Sequence, residues 1–186
     1  MFIRLAFMLQ NLIFIIILKL LLLSPSSEIR MSEEERLLAN ILNEYRLRKN
    51  LDSISVSPQL NLVAQTHVND LHQYFKNKKG CNLHSWSSNG KWTSCCYTDD
   101  HQQAKCMWNK PREISTYTGD GFEIAAYASN GITASMALEM WKNSQAHHQL
   151  IIQKGIWKNR SFKAMGIGIK GNYACIWFGF EADPSH

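Results

Sequence analysis

The sequence predicts a mixed α+β fold in which an antiparallel sheet is covered by helices. Three observations carry that reading. Two segments with apolar residues at three- and four-residue steps open the globular part. An alternating stretch, Gly121 to Tyr127, is followed by more helical periodicity. Two further alternating runs, Lys163 to Ile169 and Tyr173 to Phe180, close the chain as a hairpin across Gly171-Asn172. Helices, a strand, helices and a terminal hairpin give a layered fold rather than a series of βαβ units.

The chain has 186 residues, 45% of them hydrophobic, 11% aromatic and 19% charged. That is enough apolar material for one core, and it excludes a disordered or collagen-like chain. The length fits one domain with an appendage. The appendage is the stretch Met1 to Leu23, almost wholly apolar, with Arg4 near its start and an aliphatic run from Leu12. It reads as a signal peptide over residues 1–26, with Ser24 and Ser26 at the third and first positions before the cut. The alternative is an uncleaved signal anchor, since about 20 apolar residues span a bilayer. Lys19 counts against the anchor at roughly 2.5–3.5 kcal/mol unless it snorkels. Residues 27–34 are then a short linker and 35–183 the folded domain. The net charge of +5 falls to +3 without Arg4 and Lys19. No dense basic stripe replaces phosphate counterions, so nucleic acid is not an expected partner.

Ser32 and Glu35 form a capping box at the first helix, where Leu37, Leu38, Ile41, Leu42 and Tyr45 draw an apolar stripe. Ser57-Pro58 starts the second, with serine as N-cap and proline at the first position; Leu60, Val63, Ala64, His67 and Leu71 share one face. Lys76 to Gly121 reads as irregular, with Asn89-Gly90 and Lys110-Pro111 as turns. In the strand that follows, Phe122, Ile124 and Ala126 face one side and Glu123, Ala125 and Tyr127 the other. A third helix runs from about Thr133 with Met136, Ala137, Met140 and Trp141 in its core stripe. Ser144 is placed to cap a short fourth helix carrying His147 and His148.

Export decides how the cysteines are read. Cys81, Cys95, Cys96 and Cys106 crowd together and Cys175 stands apart. An oxidising compartment favours two disulfides and one spare thiol, which also fastens a loop too long to stand free. The rival is a zinc site that draws on the interleaved His84 and His101, although no C-x-x-C pair is present. Asn159-Arg160-Ser161 is a glycan acceptor in a eukaryotic host.

Glu123 is the residue most in need of explanation, because a carboxylate flanked by Phe122 and Ile124 is costly to bury unless a cation or metal meets it. His84 and His147 are the candidates to meet it. Together the three could hold zinc with an open position, or form a buried hydrogen-bond network. His67 reads as a satisfied, partly buried histidine rather than a ligand, and His148 as solvent-facing. Trp86, Trp92, Trp108 and Trp157 read as a substitute core for the disulfide-held loop rather than as the lining of a groove.

Several short motifs, in order, resemble those of the CAP superfamily of cysteine-rich secretory, antigen 5 and pathogenesis-related proteins, which includes many bacterial SCP-like members. Leu42-Asn43-Glu44-Tyr45-Arg46 is similar to its His-Asn-x-x-Arg signature, with leucine in place of histidine. Ser57-Pro58-Gln59-Leu60 through Ala64-Gln65 resembles the second helix, and Leu83-His84-Ser85 the first site histidine. Gly121-Phe122-Glu123-Ile124-Ala125 resembles the Gly-Glu-Asn-Ile strand. Trp141 to His147 resembles the Trp-x-x-Ser-x-x-His element, and Tyr173 to Gly179 the closing strand.

The resemblance implies a three-layer α/β/α sandwich with a central antiparallel sheet, and a cleft into which two histidines and two acids project. Carried over, these are His84, Glu123, Ser144 and His147. Ser144 departs from the pattern, standing where an acid is usual. Its hydroxyl removes an acceptor that would orient a metal-bound histidine, which weakens metal affinity by about 10- to 100-fold. The resemblance further implies a secreted, extracellular and monomeric protein that binds lipid, metal or a surface partner. The leading expectation is therefore a non-catalytic binding module for a small hydrophobic ligand or a protein surface. One alternative is a hydrolase in which zinc on His84 and His147 activates water and Glu123 takes its proton; a Ser144–His147 nucleophile pair is weaker, because a capping serine already spends its hydroxyl on backbone amides. A membrane-retained adhesion protein is the other alternative, which requires an uncleaved amino terminus. No cofactor is fixed by the sequence; zinc is the one candidate.

Overall fold

The computed structural model describes residues 30–75 and 80–184. The expected signal segment 1–26 lies outside the described residues, as does the start of the linker. Helix α1 spans Glu33–Leu47, so its first two residues lie within the stretch expected as linker. The remaining elements are β1 (Ser55–Val56), α2 (Pro58–Tyr74), α3 (Ala104–Ile114), β2 (Phe122–Tyr127), α4 (Ala134–Asn143), α5 (Gln145–Ile151), a 3-10 turn (Gly155–Trp157), β3 (Ala164–Lys170) and β4 (Tyr173–Gly179).

The strands form one four-stranded sheet in the order β1-β3-β4-β2. The long strands pair antiparallel, and the two-residue β1 joins β3 in parallel, a pairing too short to show in the sequence. Strand alternation sorts the core into two layers. Ile124, Ala126, Met165, Ile167, Ile176 and Phe178 face α1, α4 and α5. Ala125, Ala164, Cys175 and Trp177 face α2 and the cysteine-bearing loop. The result is the expected α/β/α sandwich.

Helix α2 lies very close to the sheet because β3 presents glycine to it. A Cβ on Gly166 would stand 2.0 Å from the Leu60 carbonyl carbon, and one on Gly168 would stand 2.4 Å from the Ala64 oxygen. The expected face of α2 is buried in full: Leu60, Val63, Ala64, His67 and Leu71. Ser57 caps the helix through Leu60 N at 2.9 Å, and its hydroxyl also donates to the buried Asp183.

In α1 the buried stripe is Glu35, Leu38, Ala39, Leu42 and Arg46, and Leu37 turns outward. The capping box is present, and Glu35 also accepts from Ile169 N at 3.0 Å, which ties the helix start to β3. Asn43 exchanges two hydrogen bonds with the Ile54 backbone, and Arg46 donates to the Ile151 and Asp52 carbonyls. Asn43 and Arg46 of the signature-like segment are therefore structural, and Leu42 in the usual histidine position is fully buried core.

The structure departs from expectation in two further places, α3 and the outward face of α4, and bears out the two expected disulfides. The stretch before Gly121 contains a helix, α3, with Pro111 in its last turn. The Lys-Pro pair hides it in the sequence, and so does Lys110, which is fully buried; its Nζ donates to Thr93 O and Glu113 and lies 5.5 Å from the Trp86 ring centre. In α4, Ala137 and Trp141 are buried as expected, but Met136 and Met140 are 44% and 41% exposed and Ala134 and Leu138 complete the core stripe in their place. Disulfides Cys81–Cys96 and Cys95–Cys106 take all four loop cysteines, which leaves no thiolate there for zinc. Cys175 is the spare thiol, and it is buried.

Candidate functional site

Strand β2 is an edge of the sheet, and a cleft of about 820 Å³ runs along it. Side chains from both faces of this edge strand reach the cleft, and Phe122, Glu123 and Ile124 all line it. One bank carries His84, Tyr97, Met107 and Trp108, the other His147, Leu150, Ile156 and Trp157. The outward amide of Glu123 points at the Met107 sulfur, 3.3 Å away.

Local structure aims each polar group. His84 follows an Asx turn in which its amide donates to the Asn82 side chain at 3.1 Å. The turn is braced by Ser85, whose hydroxyl accepts from Tyr97 N at 2.9 Å. Glu123 points off the face of β2 that looks toward α2, as alternation requires. His147 sits in the first turn of α5, just after the bend at Ser144.

Glu123 is the hub. One carboxylate oxygen meets His67 Nδ1 and the other meets His84 Nδ1 at 2.8 Å. Burial alone would push this carboxyl up, but ion pairing and hydrogen bonding with His67 and His84 outweigh it and hold it at about 2. His67 is fully buried, stacked on Trp86 at 4.1 Å, and its Nε2 donates to the Ser85 carbonyl at 3.1 Å. It is the satisfied histidine that the sequence predicts. Its partner could not be read from the sequence, because the contact joins residues 56 positions apart.

His147 does not hydrogen-bond to Glu123; its ring lies 6.5 Å from that of His84 across the cleft floor. Burial and the nearby His84 lower its pKa to about 4, so the imidazole is neutral at pH 7 and can accept a hydrogen bond. Ser144 occupies the cap position of α5, but its hydroxyl makes no capping bond and it lies outside the cleft lining. The convergence expected of His84, Glu123, Ser144 and His147 is in the structure one of His67, Glu123 and His84, with His147 beside them. His148, expected in solvent, is partly buried and bonds through Nε2 to the Tyr45 hydroxyl at 2.7 Å. The tryptophans divide. Trp86 is core, with Trp92 packed on it at 5.1 Å, whereas Trp108 and Trp157 line the cleft.

The cleft does not fit a resident zinc. His84 and His147 offer two imidazoles, and the ring nitrogen that His84 turns to Glu123 is already hydrogen-bonded. Among the described residues no third ligand joins that pair within reach. Two imidazoles alone fall short of the three protein ligands of a catalytic zinc site.

The sequence model of the cysteine-rich secretory protein family, CAP, matches residues 39–176. No curated protein matches the sequence. Among solved structures, the chain is similar to an outer surface protein from Borrelia burgdorferi, with a TM-score of 0.54 at 17% identity over 81% of this chain and 94% of that one. It is similar to an extracellular protein containing an SCP domain from Bacillus anthracis, with a TM-score of 0.53 at 18% identity over 86% of this chain and 44% of that one. A cysteine-rich secretory protein from Staphylococcus aureus gives a TM-score of 0.50 at 14% identity over 80% and 39%. The chain thus spans less than half the length of the last two. At these identities the likeness shows the fold.

Proposed function

Because the chain belongs to the cysteine-rich secretory protein (CAP) family, we propose that it is an exported, non-catalytic binding module whose edge cleft takes a small ligand with an apolar body and one polar end. The observation that carries this reading is the lining of the cleft. Beside His84, Glu123 and His147 the lining carries a set of large apolar side chains, Trp108, Phe122, Trp157, Phe180 and Ile156, the last 81% exposed, and the charged Arg112, Asp120, Arg160 and Glu181 complete it. The volume of about 820 Å³ lies within the range of small-molecule sites, roughly 300–1,000 Å³. Neutral His147 accepts a ligand hydroxyl, and the His84 ring nitrogen not bound to Glu123 is a second polar contact. The two disulfides and the apolar amino-terminal stretch support export.

The hydrolase reading has less support. A general base needs a pKa near the working pH, and Glu123, held at about 2 by His67 and His84 against its burial, is a weak one.

The test is fluorescence titration with a fluorescent long-chain fatty acid and a fluorescent sterol. Saturable binding of at least one is expected. Trp108→Ala and Ile156→Asp should each weaken it by about 10-fold or more, since burying one large apolar side chain contributes about 1.5–3 kcal/mol. Failure of the wild type to bind either probe, or variants that bind like the wild type, would overturn the reading.

A further inference from the structure

Behind the cleft floor, His67 from α2, Glu123 from β2 and Cys175 from β4 bring one ligand atom each within 4.8 Å of the others, and all three residues are buried. Among the described residues this is the one group of three such side chains close enough to share an ion. Two further observations set it apart from an incidental meeting of polar groups. His67 Nε2 donates to the Ser85 carbonyl at 3.1 Å, which fixes the ring and turns Nδ1 into the cluster. Metal-bound histidines almost always make such a bond with their second ring nitrogen, and it sets both tautomer and orientation. The second is Cys175 itself. It stands outside both disulfides and is fully buried, in a layer otherwise built of Leu60, Val63, Ala64, Ala125 and Trp177, with its Sγ 3.5 Å from the Ala64 carbonyl oxygen.

We propose that the protein binds a divalent transition metal of the zinc type behind the cleft, through His67 Nδ1, the Glu123 oxygen facing it and the Cys175 thiolate. The donor set, one imidazole, one carboxylate and one thiolate, suits zinc or cobalt and is poor for magnesium or calcium, which take oxygen. Binding forms three metal–ligand bonds. It releases to solvent the thiol proton and the proton shared between His67 and Glu123, with no change of oxidation state. The other carboxylate oxygen keeps its bond to His84, so the metal braces the cleft floor from behind without entering the cleft. Because the ligands are buried, the ion is loaded as the chain folds, and its binding energy adds to folding.

The inference does not rest on the ligand-binding reading, and the two can fail separately. The full chain, disulfides intact, is unfolded in guanidinium, refolded with Co2+ and desalted. Retained cobalt with a near-ultraviolet thiolate-to-cobalt charge-transfer band is expected, and zinc should displace both. Cys175→Ala should abolish the band and His67→Gln should weaken retention at least about 10-fold, whereas the double variant His84→Ala with His147→Ala should keep the band. No band in the wild type overturns the proposal, and that result stands even if the Cys175 variant fails to fold. Cobalt held without a thiolate band and lost in the double variant would place the metal in the cleft instead. A band that survives Cys175→Ala would assign it to other cysteines, and that also overturns the proposal.

Discussion

Replacing His67 with leucine should destabilise the protein by about 3–5 kcal/mol, the usual consequence of leaving one partner of a buried ion pair uncompensated. That is a large share of the roughly 5–15 kcal/mol available to a domain. Glu123 would keep His84 but lose its fully buried partner. The sign of the pH dependence separates this account from simple loss of packing. In the wild type the Glu123 carboxyl is depressed from 4.5 to about 2. Its contribution, on the order of 3 kcal/mol, is therefore complete above about pH 4.5 and lost as the pH falls through 2. Without His67, burial pushes the carboxyl up. The variant should then lose stability as the pH rises above the ordinary carboxylate range, the reverse of the wild-type slope. Urea unfolding at pH 4 and pH 7 measures both. The double variant His67→Leu with Glu123→Leu should recover part of the loss, because no charge is left stranded. A single variant within 1 kcal/mol of the wild type at both pH values would show that His67 does not hold Glu123.

Gly166→Ala should be the other severe substitution, at about 3 kcal/mol or more. The new Cβ would stand 2.0 Å from the Leu60 carbonyl carbon and 2.1 Å from its oxygen, so the obstacle is helix backbone and no rotamer change relieves it. Overpacking of flexible side chains costs about 1–3 kcal/mol; here α2 must lift off the sheet. His67 rides on the same helix, two turns further along, so the lift also draws its ring away from Glu123. In a domain of this size a loss of 3 kcal/mol lowers the melting temperature by roughly 6–12 °C. Thermal unfolding followed by circular dichroism reads it. An unchanged melting temperature would mean that α2 does not sit as close to β3 as described.

The two predictions meet in one structural fact: the helix face that packs the sheet also carries the buried partner of the site carboxylate. This explains which parts of the architecture are legible in the sequence. The α2 stripe, the alternation of β2 and the Gly171-Asn172 hairpin follow local periods, and the structure has all three; Gly171 takes a φ of 57° in the turn. Glu123 can be singled out because an acid on an apolar strand must be compensated. Of the two histidines named to meet it, His84 does and His147 makes no bond to it, while the second partner is the buried His67, a choice that only the tertiary fold makes.

Helix α3 escapes a sequence reading because its buried positions are Met107, Lys110 and Pro111, two of which count as polar or helix-breaking. The outward turn of Leu37, Met136 and Met140 escapes it for a related reason. Alanine and polar residues, Ala39 and Glu35 in α1 and Ala134 and Ala137 in α4, take the buried positions that hydropathy alone assigns to the larger apolar side chains. Ser144 has the residue type and the position of a cap, yet its hydroxyl makes no bond to the helix it precedes. The cysteine pairing is open by spacing, and adjacent Cys95 and Cys96 turn out to face different partners.

The cleft depends above all on His147 being a half-buried, neutral imidazole set beside His84. Nuclear magnetic resonance titration of the His147 ring tests this most directly. A midpoint near 4 is predicted, moving upward in His84→Ala as one of the two influences that depress it is removed. A midpoint near 6.5, unaffected by His84→Ala, would place the ring in solvent and contradict the site.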